Sequence, residues 1–159
     1  MNWQEACEHP NLQNLPFKIE LDESGKIIMS PVKVNHSAYQ AEISYLLRSM
    51  LKNGKALTEC AIGTRRGTKV ADIAWASEDR FAKIIHETEC SIAPEICIEV
   101  ISPSNTWNEI NEKKELYFEN GAEEVWICSN EGDLNFYIPK KEIENSVLLP
   151  KFPKRVKLI

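Results

Sequence analysis

Between Glu95 and Ile101 the chain reads Glu-Ile-Cys-Ile-Glu-Val-Ile, a strand pattern that is apolar on both faces except at Glu99. A strand of that kind is normally a central, buried one, covered by other elements on both sides of its sheet. Val70-Ala71-Asp72-Ile73-Ala74-Trp75 repeats the pattern around a second acid, Asp72. Each carboxylate therefore enters a largely hydrophobic setting, where an ionised acid is costly unless a cation or hydrogen-bond donors compensate it. Two such strands side by side would bring both acids to one hard divalent ion. Separate pairing of each acid with its own Arg or Lys satisfies the same requirement, and spacing alone leaves both readings open.

The rest of the chain supplies the elements that would cover such a sheet. Phe17 to Leu21 and Lys26 to Ser30 read as a hairpin, with Asp22, Glu23, Ser24 and Gly25 as turn residues. From His36 to Asn53, Tyr39, Ile43, Leu47 and Met50 recur at helical spacing, and Gly54 is placed to end the helix. A second hairpin follows, Lys55 to Ile62 and Lys69 to Ala76, around a Gly63 to Thr68 loop. Thr106 and Glu109 have the spacing of a capping box, so a helix starts near Trp107 and stops at Gly121. Glu123 to Ser129 and Leu134 to Ile138 close the chain as a third hairpin, giving the order ββαβββαββ. The expected fold is α/β (α+β), a mixed, highly twisted central sheet flanked by two helices.

At 159 residues the chain is expected to form a single domain spanning 1–159. No apolar run approaches the roughly 18 residues of a spanning helix. Glu5, Glu8 and Pro10 stand where a signal peptide needs a basic and then greasy start, so a cytoplasmic protein is expected. The five cysteines are scattered without a C-x-x-C pair and read as reduced, mostly buried thiols. His86 and Cys90 are four apart, but two further zinc ligands are nowhere obvious. Net charge is −5, and it is uneven: residues 139–159 carry six basic and two acidic side chains, whereas the preceding part is strongly acidic. That basic segment could touch phosphates or simply solvate an edge. Arg65 and Arg66, at a hairpin tip, could clamp a nucleic-acid backbone or be a solvated turn. Gly63 to Lys69 lacks the spacing of a phosphate-binding P-loop, and Ser102 and Ser104 sit in no nucleophile elbow.

On a helical wheel Trp107, Ile110, Leu116, Tyr117 and Phe118 make an apolar arc that also contains Lys113 and Lys114, so at least one lysine should face the core. Directly after the Glu99 strand, such a lysine can lie near both carboxylates and act as a point charge on a phosphate or an activated water.

The order strand, Asp, strand, Glu, helix Lys resembles the PD-(D/E)XK nuclease superfamily, and more closely its Uma-type family of restriction endonucleases. The resemblance spans about residues 16 to 138. It rests on Ile19-Glu20-Leu21 with Gly25, on Met29-Ser30-Pro31 and His36, on Val70 to Ala74 around Asp72, on Pro94 to Ser104 around Glu99, and on Lys113 and Tyr117 followed by Gly121 to Ile127. Ala71 replaces the superfamily's proline, and Ile101 its lysine two positions after the Glu; in the Uma-type family, too, the lysine has moved to the following helix. The resemblance implies metal-dependent hydrolysis of DNA, with Asp72, Glu99 and the Val100 backbone carbonyl holding magnesium or manganese and Lys113 as catalytic lysine. Glu20 matches a catalytic position. His36 also matches a family position and, with Lys114, Arg65 and Arg66, is taken as a nucleic-acid contact. DNA is the expected partner, a homodimer could unite two basic surfaces, and the alternative is an inactive nuclease-fold module that binds nucleic acid or a protein. The acidic body keeps that alternative open, because a duplex binder normally presents a coherent basic footprint.

Overall fold

The computed structural model describes residues 1–159. Helix α1 (Trp3–Glu8) opens on a capping box between Asn2 and Glu5, and a 3₁₀ turn at Pro10–Leu12 leads to strands β1 (Phe17–Leu21) and β2 (Ile27–Pro31), an antiparallel hairpin that forms its own two-stranded sheet. Helix α2 (Val34–Met50) precedes β3 (Gly54–Thr64), β4 (Gly67–Ser77) and helix α3 (Glu78–Ile84). The chain then forms β5 (Ile96–Val100), helix α4 (Trp107–Glu119), β6 (Glu124–Cys128), β7 (Leu134–Ile138) and β8 (Lys141–Ile143). Strands β3 to β8 make one six-stranded sheet in that order. Only β5 and β6 run parallel, because α4 carries the chain back between them.

All nine expected elements occur in the expected order. Helices α1 and α3 and strand β8 are additions, each too short to show a periodicity. Two boundaries differ for a physical reason. Helix α2 ends at Met50, and Gly54 begins β3, where a Cβ would stand 2.3 Å from the Ala76 carbonyl; the glycine permits close strand approach and does not end the helix. Strands β3 and β4 continue inward to Thr64 and Gly67, leaving only Arg65 and Arg66 as the turn, with Gly67 at φ +87° completing it.

Alternation along the central strands divides the core. Ile96, Ile98 and Val100 of β5 face a layer built from Tyr39, Ile43 and Leu47 of α2, while Cys97 joins Ile84 of α3 and Ile110 and Tyr117 of α4 on the other side. Full burial of Ile43 and Leu47 contributes roughly 2 kcal/mol each. Leu149, Phe152 and Val156 complete the α2 layer, and Phe152 packs against Trp126 with ring centroids 4.7 Å apart. The basic 139–159 segment is thus docked on the core by its apolar residues and is no free arm; two of its cations are paired, Lys154 with Glu144 and Arg155 with Asp133. Cys60, Cys90, Cys97 and Cys128 are buried and Cys7 is exposed, all unbonded. Cys90 lies 3.6 Å from Cys60 and has no partnership with the exposed His86. No helix is long and apolar enough to cross a membrane.

Candidate active site

Strands β4 and β5 pair antiparallel through Ile73 and Ile98, and the same register carried one residue further sets Asp72 beside Glu99. Backbone pairing stops there. Asp72 Oδ2 takes over the free amide of Val100, accepting its N–H at 2.8 Å, so the carboxylate closes the gap where the strands part. Across the sheet, β3 is distorted at the same level: Glu59, between the Thr58 and Cys60 pairings, adopts φ +50°. A left-handed non-glycine costs about 1 kcal/mol and persists only where its surroundings hold it.

Three further elements aim polar and charged groups at this point. From β1, Lys18 and Glu20 lie two residues apart and so on one face. Lys18 Nζ stands 2.7 Å from Asp72 Oδ1 and 3.8 Å from Glu99 Oε2, and Glu20 Oε2 accepts the Val70 N–H at 2.6 Å. From α4, Lys113 Nζ reaches Glu20 Oε2 at 2.9 Å and Glu99 Oε1 at 3.0 Å, while one turn later the Tyr117 hydroxyl donates to Glu99 Oε1 at 2.6 Å. From the first turn of α2, His36 Nε2 approaches Asp72 Oδ2 at 3.3 Å. Lys18, Glu20, His36, Asp72, Glu99 and Lys113 line a cleft of about 270 Å³ that also includes Lys33, Ser102 and Asn105.

The two central acids differ in electrostatic state. Burial alone would raise the Asp72 carboxyl, but the hydrogen bond from His36 and the charges of Lys18 and Lys113 outweigh it and hold Asp72 well below the carboxylate range. Glu20 is likewise depressed, its burial outweighed by Lys113, Lys18 and the Val70 amide. Glu99 is pushed up to about 7, because its complete burial, with Asp72 and Glu20 nearby, exceeds the help from Lys113 and Lys18. The Asp72 contact raises His36, against the opposing effect of burial.

Of the residues singled out from sequence, Asp72, Glu99, Glu20, Lys113 and His36 converge on one cleft. Val100 presents its amide to Asp72 and borders the same space. Lys114 does not join them: its ammonium sits 4.3 Å above the Tyr137 ring, outside the cleft, because adjacent helical residues point about 100° apart. Arg65 pairs with Glu119 at 2.8 Å, and Arg66 pairs with Glu23 and Glu112, so the hairpin tip is already neutralised by acids of α4 and the first hairpin. Sequence reasoning overlooked Lys18. The signal was its period-two spacing from Glu20, which puts both charges on one face of β1.

No set of three or more His, Cys, Asp or Glu side chains encloses an ion position, so the protein offers a facing pair of carboxylates. That suits a magnesium-type ion, which is commonly held by one or two carboxylates and completes its shell with water and substrate phosphate. The pair already brackets one cation, the Lys18 ammonium. Of the two compensations foreseen from the sequence, pairing with lysines is present, Asp72 with Lys18 and Glu99 with Lys113, and it occurs where the two acids face each other.

A search among curated proteins gives no match. Among solved structures, a crystal structure described as that of a "putative nuclease belonging to DUF820" from Anabaena variabilis superposes with a TM-score of 0.70 at 24% identity, over 89% of this chain and 82% of the other; at that identity the likeness establishes the fold. The family model Uma2, described as "Putative restriction endonuclease", matches residues 3–147, which takes in all three hairpins, the paired carboxylates and the α4 lysine. A match over that much of the sequence establishes that the chain belongs to the Uma2 family.

Proposed function

We propose that the protein is a divalent-metal-dependent endonuclease that hydrolyses phosphodiester bonds in DNA. The observation that supports this reading above the others is the facing pair Asp72 and Glu99 with Lys113 Nζ 3.0 Å from Glu99. Asp72 and Glu99 would hold magnesium or manganese, with the Val100 carbonyl as a further oxygen donor. The bound ion supplies Lewis-acid charge for the phosphate and lowers the pKa of water. Lys113 brings a positive charge to the pentavalent transition state, and Glu20 orients that ammonium from its other side. His36 holds Asp72 in its ionised form and borders the path of the substrate backbone. Arg65 and Arg66 would contact phosphates by exchanging their present acid partners for the substrate, and a dimer would set two clefts against the two strands of a duplex.

The test is cleavage of plasmid and single-stranded DNA with magnesium, manganese or chelator. Cleavage that requires the metal and is lost in Asp72→Asn is the expected result. Wild-type protein that binds DNA yet cuts neither substrate with either metal would refute the proposal in favour of a non-catalytic binding module.

A further inference from the structure

Resting on that reading of the site, we propose that Lys18 is a built-in competitor for the cation: its ammonium occupies the position between Asp72 and Glu99, and a divalent ion binds only by displacing it. Lys113 does not play this part, since its two carboxylate partners are Glu20 and Glu99 and it makes no ion pair with Asp72. Lys18 alone among the lysines reaches both facing acids, at 2.7 Å and 3.8 Å, with only 11% of its side chain exposed. A divalent ion held between the two acids would need the position the Lys18 ammonium occupies, and like charges at that spacing repel strongly where water is excluded.

The placement of Lys18 makes displacement feasible. It is carried by β1, in a hairpin that pairs only with itself, so the side chain can leave without breaking a ladder of the six-stranded sheet. The hairpin remains anchored to β4 by the Glu20 contact with the Val70 amide and by Lys69 Nζ donating to the Leu21 carbonyl at 3.2 Å. An ammonium released from the pair stays tethered at the cleft that the substrate would enter. Without an ion it compensates two buried acids; with one it is free to meet an anion. The apparent metal affinity of the wild type is therefore weaker than its carboxylate pair would give alone.

The experiment measures manganese binding by titration calorimetry for wild type, Lys18→Met and Lys18→Gln, with Lys33→Met as a control that removes a charge from the cleft rim without an ion pair to either acid. Both Lys18 variants should bind manganese about tenfold more tightly or better, an effect worth about 1.4 kcal/mol, and should gain more in melting temperature from added manganese than the wild type does. Lys33→Met should stay within about twofold, as expected for a screened charge. Equal or weaker binding in both Lys18 variants would overturn the proposal. Tighter binding in variants of a protein that cuts no DNA would leave the competitor role standing and remove the nuclease function. No manganese binding in wild type or variants would remove both. If the Lys18 variants do not fold in chelator, recovery of the native circular dichroism on adding manganese supports the role, and failure to recover overturns it.

Discussion

Replacing Glu99 with glutamine should stabilise the metal-free protein above neutral pH. Glu99 is buried against Asp72 and Glu20, and its carboxyl titrates in the fold at about 7 compared with 4.5 for the free side chain. The sign follows from that order. A group whose folded pKa is raised contributes stability that is complete below about 4.5 and is lost as pH climbs through about 7, because the folded state must then give up a proton it holds more tightly than the unfolded chain does. At about 1.4 kcal/mol per tenfold in proton affinity, the loss amounts to roughly 3 kcal/mol at pH 8. Glutamine resembles the protonated acid and does not titrate. Its carbonyl can still accept from the Tyr117 hydroxyl and from Lys113, and neither lysine is stranded: Lys113 keeps Glu20 at 2.9 Å and Lys18 keeps Asp72 at 2.7 Å. Urea unfolding in chelator at pH 4.5 and pH 8 should show the variant close to wild type at the lower pH and more stable by about 1 to 3 kcal/mol at the higher, as the same linkage gives. A variant less stable than wild type at pH 8, or a difference that does not change with pH, would refute the reasoning.

Asp72→Asn should behave in the opposite way, losing about 3 kcal/mol in chelator at pH 7, because it leaves Lys18 and His36 facing a neutral amide; the same urea experiment decides this, and a gain in stability would contradict it. Lys113→Met should reduce cleavage by at least about a hundredfold while Lys114→Met, which loses only a contact over Tyr137, stays within about threefold, as single-turnover rates on plasmid DNA would show. Glu124→Ala should cost about 3 kcal/mol and open the 144–159 segment to trypsin, since the buried Glu124 carboxylate accepts from Trp126 Nε1, the Ser146 hydroxyl and the amides of Val147 and Leu148, and unchanged proteolysis would count against it.

The central strands, the amphipathic α2 and the capped α4 are legible in the residues because burial imposes a period on them: Ile96, Ile98 and Val100 alternate, Tyr39, Ile43 and Leu47 recur every four, and Thr106 and Glu109 close a local ring of hydrogen bonds. The two acids were legible for the converse reason, since a carboxylate inside such a pattern needs compensation. What compensates them was not. The choice of Lys113 over Lys114 came from likeness to a family, and its physical basis, contacts with Glu20 and Glu99 from two other strands, exists only once β1, β5 and α4 meet. Lys18 lies 54 residues from Asp72, and no local rule links positions that far apart. The 139–159 segment shows the same division in reverse. Its lysines are conspicuous in the sequence, but its place in the fold is set by Leu149, Phe152 and Val156, whose burial depends on a surface of Trp126 and Phe136 that only the assembled sheet provides. Periodicity and the cost of buried charge act within a few residues and so were determined by the sequence itself; the pairing of charges across strands, and with it the character of the site, was decided by tertiary structure, because Coulomb and packing energies depend on distances in space that the order of residues does not state.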